Sequence, residues 1–382
     1  MINRIIQHEW RALLADKTVW LLSALLFVTI SYGLWNGASW ASFRGETVTR
    51  AQAEEKQRLA GLQNRVRGIE AGAPVPEHHS PTDATMMGLF DAARYALLPP
   101  APLSLLSVGQ SDLYPPQYKI TAQGKNTWTN SDEIENPVNL LAGRFDMSFV
   151  VIYLMPLCIL ALSFNLLSAE REGGTLPMLL SQGVSLSQLL WGKTLARFTV
   201  LLAIFLVFTF GALAFHGVFG TAGTGVISWI ALVTLYAAFW FALALAVNAW
   251  GKSSASNAMT LLACWLACVL IIPSVVGVIA STLYPVPSRL ELIQASRDAA
   301  AESAAQNRGV LAKYYEDHPE FVPKAARPTK PDAYLNFFAV QEMSARRVEP
   351  LLAQYDIQLE KQQNVVNGLR FLSPAILTQE AM

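Results

Sequence analysis

From Phe198 to Gly251 the chain runs for 54 residues without an Asp, Glu, Lys or Arg. A soluble fold has nowhere to put such a tract, whereas a bilayer requires one. About 20 apolar residues cross the hydrocarbon core as a helix, and at about 1.5 Å rise per residue this tract is long enough to cross twice. The run from His216 to Gly225 holds four glycines near its middle. Glycine accepts positive φ at little cost, so the turn is expected there. The tract therefore reads as two spans, 198–216 and 225–250.

Three further tracts fit. Residues 18–43 carry no charge before Arg44, with Trp20 near one end and Trp35 and Trp40 near the other. Amphipathic indoles favour the two interfaces of a bilayer. Residues 147–169 are rich in Leu, Ile and Phe, and residues 256–284 contain Pro273, a natural kink. The expected fold class is an all-α polytopic membrane protein with five transmembrane helices. A sixth span is expected beyond Met382, after Phe371-Leu-Ser-Pro-Ala-Ile-Leu. Only 15% of residues are charged, against about a quarter in soluble chains, and they cluster in the polar stretches. Lys+Arg and Asp+Glu both number 28, so no basic excess points to nucleic acid. The charged N-terminus has the wrong order for a cleaved signal peptide.

Short-loop cations set the orientation. With the N-terminus inside, the inner segments hold Arg4, Arg11 and Lys17, then Arg171, Lys193 and Arg197, then Lys252. Residues 1–17 and 170–197 then face the cytoplasm of a bacterial inner membrane, and 44–146 and 285–382 lie outside. In the outer stretches, 51–72 reads as an exposed charged helix and 97–116 is punctuated by proline. Residues 118–128 have strand character, and 289–317 and 334–369 read as helices separated by Pro319 and the 323–331 run. These segments are expected to build a mostly helical outer domain, its helices pairing across the two stretches.

The most informative stretch follows the second span. Three charges, Glu170, Arg171 and Glu172, stand at its end. Gly173 and Gly174 break the helix, Thr175 follows, and Leu176–Leu180 form a short apolar segment carrying Leu176, Leu179 and Leu180. A turn at Gln182-Gly183 then leads back to Gly192-Lys193. A short helix held just outside a membrane suits a groove on a cytoplasmic protein. Glu170 and Glu172 can pair with basic groups on that partner or cap the local helix.

This run resembles the coupling-helix region of ABC-2-type permeases: Glu170 and Glu172, Gly174-Thr175-Leu176, Leu179-Leu180, and Gly192-Lys193 opening the next span. Glu9-Trp10-Arg11, followed by Asp16-Lys17, is similar to the amphipathic elbow helix of such proteins. Leu98-Pro-Pro-Ala-Pro-Leu103, Gly109-Gln-Ser-Asp-Leu-Tyr-Pro115, Asn136-Pro137, Gly143-Arg-Phe-Asp146, His318-Pro-Glu320 and Leu372-Ser-Pro374 look like markers of the DUF3526-containing group, named for multicopper-enzyme maturation. The resemblance implies a non-catalytic permease subunit with no cofactor of its own. ATP and Mg would sit on a separate cytoplasmic ABC ATPase subunit. A second permease copy or paralogue would complete a dimer, and transport would run outward.

Other signals carry less. Gly192-Lys193-Thr194 resembles the tail of a phosphate-binding loop, but Ser187 stands where the first glycine is required. Cys264 and Cys268 share a helix face, and Met155 and Cys158 are soft ligand types, yet cysteine in a span is ordinarily a packing residue. His78-His79 lies in a proline-flanked linker. Asp146 and Arg144 at the mouth of the second span are expected to pair. No span holds a central ionisable residue, which argues against a proton-coupled transporter. Two other classes remain: a mechanical transducer that moves no cargo, and a membrane-anchored receptor or scaffold.

Overall fold

The structure, a computed structural model, describes residues 2–76, 80–81, 87–109, 111, 114–122, 145–215, 223–250, 253–322 and 333–382. The His216–Gly225 turn up to residue 222, His78-His79, Arg144, Lys252 and the 323–331 run lie outside them. Among the described residues five helices are long and apolar enough to cross a membrane, consistent with an all-α polytopic membrane protein.

An amphipathic helix α1 (Ile2–Ala15) precedes the first span and packs along α5 (Leu186–Phe215), the third spanning helix. Gly192 permits the approach, since a Cβ there would come within 2.7 Å of the Ile5 side chain. Asp16 then starts α2 (Lys17–Glu70), its carboxylate accepting the Thr18 N–H at 2.8 Å. That bond holds the Asp16 carboxyl below its ordinary range. α2 does not stop where the charges resume. Residues 44–70 are mostly good helix formers with only isolated glycines, so nothing breaks the ladder. At about 1.5 Å per residue it is roughly 80 Å long, against a hydrocarbon core of about 30 Å. It ends where Gly72 takes φ +99° and donates to Ile69 O.

The projecting half of α2 carries a two-stranded antiparallel sheet, β1 (Arg94–Leu97) on β2 (Gln117–Ile120), with Tyr95 opposite Lys119. Glu55 pairs with Arg94 at 2.7 Å and accepts the Tyr95 N–H at 2.8 Å. Arg44, only 1% exposed, donates to the carbonyls of Leu98 (3.0 Å), Tyr114 (3.1 Å) and Ser111. Arg44 thus ties three carbonyls of the proline-rich stretch to α2, while turns within the stretch, such as Ser107 N–H on Leu103 O, satisfy others. Gly37 lets the Leu105 carbonyl lie against the α2 backbone.

The second spanning helix, α3 (Met147–Glu172), is the centre of the bundle and has the largest buried share of the five. Asp146 caps it, accepting the N–H of Phe149 and of Val108, each at 2.9 Å. Burial pushes the Asp146 carboxyl above its usual range against those N–H donors. Its partners are therefore backbone donors, whereas the expected partner Arg144 lies outside the described residues. After the short helix α4 (Leu176–Ser181) and α5 come α6 (Gly223–Trp250) and α7 (Ser254–Leu283). The main core joins α2, α3, α5, α6 and α7 around Ile30, Ile159, Phe205, Trp240 and Leu261, all essentially inaccessible.

Beyond α7, α8 (Arg289–Ala305) and α9 (Asn307–Asp317) pack against α10 (Ala333–Leu369). Ser344 donates to Ala299 O, and Arg346 pairs with Asp317 and Glu342 at 2.8 and 2.6 Å. α10 returns to the C-terminal half of α7, beside which Gln362 donates to Tyr284 O at 2.6 Å. A short helix α11 (Pro374–Ala381) then seats Ala375 in the main core.

Candidate functional site: the loop helix and its anchors

α4 is bracketed by two residues in the left-handed region, Gly174 at φ +69° and Gly183 at φ +76°. Both ends close on these glycines, Gly174 N–H donating to Arg171 O and Gly183 N–H to Leu180 O. A six-residue helix is too short to be stable alone, so its packing decides its position. Leu176 and Leu179 rest on a small core of Leu166, Leu167, Leu189 and Leu190. On the other side Met178 is 66% and Leu180 40% exposed. The two faces differ in partner: one is bound to the spans and the other is open.

The charges at the end of α3 are spent inside the chain. Glu170 forms an ion pair with the buried Lys193 at 2.8 Å and accepts the Thr175 hydroxyl. This ties the first turn of the loop to α5. Glu172 accepts the Ser254 N–H at 2.7 Å and the Ser254 hydroxyl at 2.9 Å, capping the start of α7. Arg171 is half-buried and engaged within the chain. Gly173 donates to Ala169 O and ends the α3 ladder. Of the residues expected to act in coupling, the structure holds Leu176 and Leu179 against the bundle, leaves Leu180 exposed, and places Glu170 and Glu172 as braces; Pro177 and Met178, which the sequence did not single out, are exposed beside Leu180.

α1 is anchored by the same logic. Glu9 pairs with Arg197 at 2.8 Å, both largely buried, and Trp10 Nε1 donates to the Thr199 hydroxyl at 3.2 Å. Arg11 is exposed beside them. Arg197 also donates to Asn165 Oδ1 at 2.9 Å and to Leu162 O. A buried ion pair with its remaining donors satisfied is costly to break, about 3–5 kcal/mol when one partner is removed.

Four residues that the sequence did not single out complete the site. α3 loses regular geometry at residues 164–167, between the Phe164→Leu160 and Ala169→Asn165 backbone bonds. Leu167 N–H, which an unbroken helix would direct to Ser163 O, donates instead to Asn248 Oδ1 at 3.4 Å, and Asn248 Nδ2 donates to Ser163 O at 2.8 Å. The carboxamide stands in for the missing backbone bond. Asn257 Nδ2 donates to Phe164 O at 3.2 Å and to Asn248 Oδ1 at 3.1 Å. Ser168 and Ser254 share a hydrogen bond of 2.8 Å, and Ser254 leads on to Glu172. Three consecutive carbonyls, Leu162, Ser163 and Phe164, thus each accept from a different helix: Arg197 of α5, Asn248 of α6 and Asn257 of α7. A signal was present, because Asn248 is the one carboxamide in the 54-residue uncharged tract. Polar side chains at depth ordinarily find inter-helix partners.

The cysteine pair does not gather ligands. Cys158, Cys264 and Cys268 are free thiols, and no cluster of three His, Cys, Asp or Glu side chains suited to a metal occurs among the described residues.

A five-span bundle with an amphipathic helix lying along it, and a short loop helix braced to two spans by carboxylates, defines a multi-pass membrane protein. Comparison with known families identifies which kind. The ABC-2 family transporter protein family matches residues 4–381, and the chain belongs to that family. It is a membrane permease subunit of an ABC transporter, a family whose members work with an ABC ATPase partner. Comparison with curated proteins and with solved structures gives no match.

Proposed function

We propose that α4 is the coupling helix of an ATP-driven permease, and that its exposed face docks on a cytoplasmic ABC ATPase subunit. The observation that carries this is the two-sided packing of α4: Leu176 and Leu179 held by the bundle, Met178 and Leu180 open, and glycines of positive φ at both ends. Motion of the partner enters α3 through the helix end, α5 through Glu170–Lys193 and α7 through Glu172–Ser254. Residues 1–17 and 170–197 then face the cytoplasm, and the projecting half of α2 and helices α8–α10 lie outside a bacterial inner membrane. ATP and Mg belong to the partner, a second permease copy or paralogue completes a dimer, and the direction is export. Membership of the DUF3526-containing group is part of the same proposal and rests on the sequence markers.

The test is ATPase stimulation in the reconstituted complex. Met178→Asp with Leu180→Asp should abolish stimulation by the permease while the spans stay folded. Glu170→Gln with Glu172→Gln should leave binding of the ATPase in place but weaken stimulation, because braces rather than contacts are lost. Full stimulation by the Met178/Leu180 variant would reject the assignment.

A second reading, mechanical transduction without cargo, is favoured by one specific feature. α2 projects as a single helix far beyond its apolar part, and α10 is docked on the outer half of α7. Both outer units are tied to spans, one by an unbroken helix and the other by packing, as a transducer requires.

A further inference from the structure

α3 receives the coupling helix at its end but is interrupted at residues 164–167, just before that end. An interrupted helix is a joint. Unsupported, it would bend and absorb a push from α4 before the push reached any other span. The joint is not unsupported. The Asn248 carboxamide bridges Ser163 O and Leu167 N–H across it, and Asn257 holds Phe164 O and the Asn248 oxygen. Both asparagines are essentially inaccessible, at 0% and 1%. Asn257 Oδ1 accepts no hydrogen bond among the described residues, so the network holds spare acceptor capacity for a second pairing.

The arrangement of α7 shows where a passed-on displacement would go. Its first half packs on α3 and α6, whereas its second half, after a π-helical segment at Leu266–Ile271 and Pro273, packs on α10. Its inner end carries Ser254 and Asn257, both in the network.

We propose that Asn248 and Asn257 are the positioning residues of the coupling joint: they splint the break in α3 to α6 and α7, so that displacement of α4 is delivered to α7 and, through its outer half, to α10. This rests on the reading of α4 as a driven coupling helix. It assigns a step that reading leaves open, namely how motion leaves the loop. The apolar tracts of α5, α6 and α7 could slide on one another with little penalty, because in lipid no hydrophobic term holds spans together. Directional bonds at the joint make their movements dependent on one another.

The experiment uses the permease reconstituted with its ATPase subunit in nanodiscs, on a background with Cys158, Cys264 and Cys268 replaced by Ala. Spin-label distances are measured without nucleotide and with ATP plus vanadate. One pair joins Gln182, directly after α4, to Leu235 of α6, and the other joins Leu283 of α7 to Leu235. In the parent both distances should change on trapping. In Asn248→Leu, and separately in Asn257→Ala, the first change should persist and the second fall to less than a third of its parent value. Nucleotide-free distances equal to the parent's establish that each variant is folded. Retention of the full Leu283 change in both variants overturns the proposal. No change at Gln182 in the parent overturns the coupling-helix reading and the joint with it, so the two failures are distinguishable.

Discussion

Two of the five spans, α3 and α7, contain the same irregularity and are repaired from different places. In each, a π-helical segment is followed by a proline: Val150–Leu154 then Pro156 in α3, and Leu266–Ile271 then Pro273 in α7. Proline has no N–H, so a carbonyl four or five residues earlier loses its donor. In α3 the Tyr236 hydroxyl of α6 donates to Ile152 O at 3.0 Å. In α7 the last π bond runs from Ile272 N–H to Ala267 O, the next donor would be Pro273, and the Ser373 hydroxyl fills Cys268 O instead. The repair of α3 comes from inside the bundle, and that of α7 from the segment linking α10 to α11. α3 is the most buried span and α7 the least. The same defect is thereby fixed by a neighbouring span in one helix, and in the other by the buried Ser373 of the segment that follows α10.

The comparison breaks first at Arg197, which anchors the C-terminal end of α3 through Leu162 O and Asn165 and also pairs with Glu9. Arg197→Ala should cost about 3–5 kcal/mol, seen as a large drop in the thermal midpoint in micelles, with amide protection lost in α1 and α3. If protection is lost first in α7, the two helices are not as different as their repairs suggest. Tyr236→Phe removes only the hydroxyl and should cost about 1–3 kcal/mol by leaving a buried carbonyl without its donor. Because α3 is central, that loss should lower the midpoint of the whole bundle. Ser373→Ala should cost about 1 kcal/mol, chiefly as the α11 cap. Its effect should be local, speeding amide exchange in the C-terminal half of α7 and in α11 while sparing α3. Pro273→Ala sharpens this, since restoring the N–H should make the Ser373→Ala cost smaller in the double variant than alone.

The smallest effect concerns pH. The Asp16 carboxyl titrates below its ordinary range because it accepts the Thr18 N–H. Its contribution to α2 is therefore full at neutral pH and is lost only as pH falls through that lowered value. Asp16→Asn should keep the cap and flatten this acid dependence in helicity measured below about pH 4. An unchanged acid profile would remove Asp16 from the account.

Much of the fold was legible in the residues. Spans are forced by uncharged tracts, because a bilayer offers no other partner to a backbone than its own helix. The loop helix was legible from punctuation: Gly173-Gly174 before it and Gly183 after it permit the sharp ends, and Pro177 suits a first turn. The roles of Glu170 and Glu172 were open between a partner protein and a local cap. The structure gives both to the chain's own α5 and α7, because the ends of those helices meet beside α3.

The sequence by itself determined that this chain lives in a membrane and how many described helices can cross it. Those properties depend on runs of neighbours along the chain, and runs can be read one residue after another. What only the tertiary structure decided is which groups repair the broken helices: Asn248 and Asn257 at one end of α3, Tyr236 at the other, and Ser373 on α7. A hydrogen bond needs its partners within about 3 Å. Residues 84 to 105 positions apart reach that distance only when the helices that carry them have packed.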